Sequence, residues 1–187
     1  MKAQTIEFIE NKGQWDNRVK FRTEVPSGSF FIRSGGFTVL QHNSQDLQNA
    51  LEFAHGHNQM PNSKTGITVR SHAYAVDFAN ASDQIELVPD KPLEYYNNYF
   101  IGNDPSKWAS NCKIYQGITV KNIYPNVDVR YYTNNGTMKY DIIVKPGADL
   151  GKIALRYSGA DKLEVKDKQL IIKTSVGDVK ELDPVTY

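Results

Sequence analysis

The chain has 187 residues, enough for one large domain or two small ones with a substantial core. Its 22 Lys and Arg against 21 Asp and Glu leave a net charge of +1, which removes the electrostatic case for nucleic acid or an anionic membrane as partner. The 11 Tyr, 8 Phe and 2 Trp favour strands, and no stretch approaches the ~18 apolar residues that a membrane-spanning helix requires.

Met1 to Thr5 holds no apolar signal core, and Ala3-Gln4 reads as the remnant of a cleavage region behind an added Met1. Glu10 to Gln14 is a polar turn anchored by Trp15. Val19–Val25, Ser29–Arg33 and Phe37–His42 then form a meander of antiparallel strands, because Pro26-Ser27-Gly28 and Ser34-Gly35-Gly36 are strong turn signals. Val19, Phe21, Thr23 and Val25 share a face at period two. Residues 44–56 have helical spacing, with Ser44 as cap, Leu47, Ala50, Leu51 and Ala54 on one face and Gly56 as terminator. A polar loop, 58–65, follows.

Gly66 to Ala79 reads as one long strand whose apolar set changes parity at a bulge near Ser71-His72. Ile85–Val88 is a short strand closed by Pro89 and Pro92. After the aromatic run Tyr95–Phe100, Asp104 caps a helical turn opened by Pro105, near 104–108. From Ile114 the chain is strand and turn. Val127–Thr133 pairs with Thr137–Lys145 across Asn134-Asn135-Gly136, and Pro146-Gly147 stops the second strand. Short strands at 153–157, 162–165, 169–174 and 178–182 complete a mainly β, antiparallel, sandwich-like fold. This is one composite β-rich module over 1–187, or two packed lobes at about 5–90 and 91–187 with no flexible linker between them.

Four ordered segments carry a resemblance. Glu10-Asn11-Lys12-Gly13-Gln14 resembles an EN-x-GQ opening, and Asn98 to Trp108 resembles NYF-x-G-x-DP-x-x-W. Ile123 to Tyr132 is similar to VYPGIDLxYY, and Lys139 to Asp149 to LEYDFxVxPGAD. Together they resemble a domain of uncharacterised function at the amino terminus of large secreted surface proteins of Bacteroidetes-type bacteria. Those parents carry SBBP (seven-bladed β-propeller) repeats, PKD or other immunoglobulin-like modules, or gliding-motility-type sorting domains. The resemblance implies a secreted or cell-surface address, a chain that is the amino-terminal part of a larger protein, and downstream propeller or immunoglobulin-like domains as partners. Asn126 stands where Gly is common in that pattern, and Asn also tolerates the left-handed region. The family pattern continues beyond Tyr187, which would leave a sheet edge open for pairing.

Candidate chemistry is sparse. The histidines His42, His55, His57 and His72 are the only metal-type group, and exposed polar residues at a helix end are the plainer reading. Lone Cys112 excludes an internal disulfide and reads as a small, half-buried side chain. Asp128, Asp141 and Glu94 are the carboxylates nearest the aromatics; the expected roles of the two aspartates are pairing with Arg130 and Lys139 or bonding loop amides. No GxSxG, P-loop, GxGxxG or HExxH occurs, Asn103-Asp104 lacks EF-hand spacing, and the glycosylation-type triplets at Asn80 and Asn135 are short chance matches. The chain is therefore expected to be a non-enzymatic structural or adhesion-type module with no catalytic residue, metal or cofactor. The alternative is a carbohydrate-binding module that stacks sugars on Tyr95, Tyr96, Tyr99 and Trp108 with Asn98 and Asn103 as polar partners, giving a glycan or surface protein as a further partner. A hydrolase is the third reading.

Overall fold

The computed structural model describes residues 7–55 and 66–186; Ala3, Gln4, Gly56, His57 and the loop 58–65 lie outside the described residues. In chain order the elements are β1 (Phe8–Glu10), β2 (Val19–Val25), β3 (Gly28–Arg33), β4 (Gly36–His42), α1 (Ser44–Ala54), β5 (Ser71–Phe78), β6 (Glu86–Tyr99) and β7 (Ala109–Tyr124). Then follow β8 (Val127–Asn134), β9 (Thr137–Val144), β10 (Leu155–Ser158), β11 (Lys162–Lys166), β12 (Gln169–Lys173) and β13 (Val179–Glu181). Single helical turns occupy Pro105–Lys107 and Leu150–Lys152.

All the strands pair antiparallel. The larger sheet runs β10-β5-β4-β3-β2-β1-β7-β8-β9, with β6 on the other side of β7, and β11-β12-β13 form a small second sheet. The large sheet curls so that its two halves meet face to face. Phe30 and Phe37 stack at 4.7 Å on one half, and Tyr131 of β8 meets them from the other at 5.8 and 6.1 Å. Phe8, Ile32, Val76, Ile118, Val129 and Ile172 join the same buried cluster, so residues from both ends of the chain share one core. The sandwich-like, mainly β expectation holds.

The meander β2–β3–β4 and the β8–β9 hairpin follow the sequence closely. Asn135 and Gly136 have φ of 51° and 74°, the double positive value of a type I′ turn. Gly28 and Gly36 do more than punctuate. A Cβ at either position would run into a neighbouring strand's carbonyl oxygen, Leu40 O or Val76 O, so close strand approach demands glycine there.

Several boundaries differ for identifiable reasons. Asn43, not Ser44, caps α1, accepting the Asp46 amide at 3.0 Å. The apolar face of α1 buries no residue, and the helix is tied down by Asp46 and Arg70 at 2.7 Å. β5 begins at Ser71, opposite His42, because β4 ends there and, among the described residues, no strand pairs with 66–70; the parity change marks a strand start, not a bulge. Pro89 and Pro92 do not close a short strand. They lie inside β6, which tolerates missing amide donors because, among the described residues, it is an edge paired only with β7. With β6 continuing to Tyr99, its partner β7 starts at Ala109 instead of near Ile114. Cys112 is fully buried, and burial followed by the Glu10 charge pushes its thiol up.

The small sheet is tied by side chains to both end strands of the large one. Tyr140 of β9 and Tyr157 of β10 each donate to Glu181 of β13, at 2.9 and 3.0 Å. Burial first, and the Glu181 charge second, raise both phenols well above the ordinary tyrosine range, so they stay protonated donors.

Candidate functional site

The segment Glu10–Gln14 is a folding device. The Asn11 amide donates to the carbonyls of Trp15, Asp16 and Val19 at 3.3, 2.9 and 2.8 Å, and its oxygen accepts from the amides of Gly13 and Trp15. Gln14 accepts the Lys12 amide and donates to Glu10 O, while Glu10 Oε1 accepts the Lys113 amide of β7 at 2.7 Å. These bonds seat the turn against the far part of the β6–β7 hairpin. Trp15 then meets Tyr99 edge-on at 5.3 Å, with the Arg22 guanidinium over its ring at 5.3 Å.

Beyond this clamp the hairpin carries the exposed aromatics. Tyr95 and Tyr96 stand in solvent, as do Phe100 (61 % exposed), Ile101 (77 %) and Trp108 (42 %) around the connecting loop. Asp104 caps the Pro105–Lys107 turn as the sequence predicts, accepting from the Ser106 amide and hydroxyl. Trp108 Nε1 donates to Gly102 O at 3.2 Å, and its ring meets Phe100 at 5.9 Å with planes crossing at 78°. Tyr95 donates to Glu7, which raises its phenol.

The candidate residues therefore separate. Tyr95, Tyr96, Trp108 and Asn103 are exposed near one end of the hairpin. Tyr99 is half-buried against Trp15, and Asn98 Oδ1 accepts the Asn111 amide at 2.9 Å, so these two brace the hairpin. Phe100 and Ile101 are exposed beside them, outside the candidate set; the sequence signal for both is position, since they precede a Gly-Asn-Asp-Pro loop where no strand alternation turns them inward.

Of the three candidate carboxylates, Asp128 and Asp141 are engaged, while Glu94 of β6 is exposed. Asp128 holds Lys145 Nζ at 2.6 Å and accepts the Asn122 amide at 3.0 Å, so it bonds an amide at an irregularity within β7 and not in a loop, and its cation is Lys145, not Arg130. Arg130 instead reaches Asp90 at 2.6 Å, and Asp141 accepts the Tyr132 hydroxyl at 3.2 Å. Burial raises the Asp128 carboxyl, but the Lys145 and Asn122 hydrogen bonds together with the charges of Lys145 and Lys121 bring it below its ordinary value. A depressed folded-state value means stability that is present above the unfolded carboxylate range and lost as pH falls through the folded one. The stability difference between the wild type and Asp128→Asn is thus expected to shrink below about pH 4. Urea unfolding of both proteins across acid pH checks this, and a constant difference would refute it.

His42 Nδ1 lies 2.7 Å from Ser71 Oγ, and His72 bridges Ser175 and Gly159 O, so each of these rings is held by its own neighbours. Among the described residues no group of three or more His, Cys, Asp or Glu is placed to hold a metal ion. No helix there is long and apolar enough to cross a membrane. A family model with the description "Domain of unknown function (DUF7948)" matches residues 8–187. No curated protein and no solved structure matches the chain.

Proposed function

The chain belongs to this family of domains of unknown function, DUF7948, and from that premise we propose a non-enzymatic structural and adhesion-type role, outside the cell, at the amino terminus of a large secreted surface protein. The observation that carries it is the exposed apolar end of the β6–β7 hairpin, where Tyr96, Phe100, Ile101 and Trp108 stand clear on a braced support. Aromatic residues are enriched at protein interfaces and among the residues that carry binding energy. The proposed partners are propeller or immunoglobulin-like domains downstream in the same protein.

The second reading, carbohydrate binding, draws on the exposure of Tyr96, Trp108 and Asn103. The crossed planes of Phe100 and Trp108 disfavour a flat stacking platform from that pair.

Trp108→Ala and Tyr96→Ala are expected to keep the wild-type melting temperature, since neither side chain fills the core. Both are expected to weaken binding of the isolated module to the downstream domains by about tenfold or more, read by surface plasmon resonance. Binding on a glycan array that these variants lose would instead establish the carbohydrate reading. Turnover of a glycoside substrate would overturn both.

A further inference from the structure

We propose that the free edge of β9 pairs with β9 of a second copy, joining the two large sheets by an antiparallel ladder about a two-fold axis. The proposal is independent of the hairpin aromatics. Among the described residues the backbone of β9 is paired with β8 alone. Other edges are poorer templates. β6 contains Pro89 and Pro92 and shifts register, while β10, β11 and β13 have only 4, 5 and 3 residues. β9 has 8 residues, no proline and an unbroken register from Val127↔Val144 to Asn134↔Thr137.

The turn sets which backbone groups are free. A two-residue hairpin turn makes Asn134 and Thr137 a hydrogen-bonded pair, so Lys139, Asp141 and Ile143 also bond to β8. The Lys145 amide bond to Asn126 O at 2.9 Å continues the same parity. The amides and carbonyls of Met138, Tyr140, Ile142 and Val144 therefore point away from β8, toward the open edge. Beneath them, the Tyr140 hydroxyl is fixed by Glu181, which steadies the strand.

Charge then selects the register. With Tyr140 opposite Tyr140 of the other copy, Met138 faces Ile142, and Lys139 faces Asp141 twice by symmetry. Both apolar and opposite-charge cross-strand pairs are favourable. A shift of one step either way sets Lys139 against Lys139 or Asp141 against Asp141. Asp141 stays in the outward row even while it accepts the Tyr132 hydroxyl, and Arg130 lies opposite it within the chain. Exposed Ile143 and Val144 at the end of the strand lose water in the same contact.

Sedimentation velocity over micromolar to millimolar concentrations is expected to show a monomer–dimer equilibrium. Lys139→Asp and Asp141→Lys each place like charges across the ladder and are expected to weaken the dimer about tenfold or more. Mixing the two single variants restores both attractive pairs and is expected to recover the dimer as a heterodimer, which folding damage would not allow. Hydrogen exchange of the unmodified protein supplies a reading free of substitutions. The amides of Met138, Tyr140, Ile142 and Val144 are expected to gain protection as concentration rises, while those of Lys139, Asp141 and Ile143 stay protected throughout. A wild type that remains monomeric over this range, variants that dimerise like it, or protection without this alternation would each overturn the proposal.

Discussion

Tyr131→Ala is expected to lower the unfolding free energy by about 3–5 kcal/mol, the range for deleting a large buried aromatic. Tyr131 is almost fully buried in β8 and touches the rings of Phe30, Phe37 and Tyr140, which come from both halves of the curled sheet. Truncation opens a cavity where the layers meet, and the paired strands around it restrict collapse. A domain of this kind has roughly 5–15 kcal/mol in total, so the variant sits near the threshold of folding. Adjacent Tyr132 faces the other way, half-buried beneath the Arg130 guanidinium at 5.5 Å. Tyr132→Ala is expected to cost only about 1 kcal/mol. Urea unfolding followed by circular dichroism separates the two, and equal losses would mean that β8 does not present Tyr131 to the core.

Asn11→Ala is expected to cost about 2 kcal/mol. It removes donors from three carbonyls and an acceptor from two amides in one turn. Part of that turn is open to water, which replaces some of the bonds and keeps the loss below the sum of its parts. Asn11→Asp retains the acceptor but sets a carboxylate oxygen against those three carbonyl oxygens, so a loss at least as large is expected. The turn seats Trp15 on Tyr99 and Glu10 on β7, so both variants are also expected to speed hydrogen exchange in β6 from Tyr96 to Tyr99. A melting temperature unchanged by Asn11→Ala would remove the clamp from this account.

The β8–β9 hairpin was legible because three local signals agree: alternation from Val127 to Tyr131, the answering set Met138 to Val144, and a turn that only Asn-Gly fits easily. β6 was not, because Pro89 and Pro92 argue against a strand unless it is known to be an edge, and edge position is a property of the assembled sheet. The candidate site was half legible. Tyr96 and Trp108 could be named as aromatic, but alternation cannot say whether a face is covered, and the same reasoning gave Tyr99, which Trp15 covers. Asn11 carried a resemblance and no visible role, since its partners Asp16 and Val19 converge on it only once the turn closes.

The sequence by itself determined the class of the fold and most of its turns, because side-chain period, proline and left-handed Asn and Gly act within a few residues of where they stand. A family of domains of unknown function also matches the sequence over residues 8–187, and motif residues such as Asp104 and Asp128 serve as cap and backbone-holding devices. Only the tertiary structure decided that the large sheet curls onto itself, that Glu181 joins its two ends, and which hairpin aromatics are exposed and which strands lie at sheet edges among the described residues. Those outcomes depend on contacts between residues far apart in the chain, and the burial and strand pairing that fix them are set by the whole assembly of strands rather than by any segment of it.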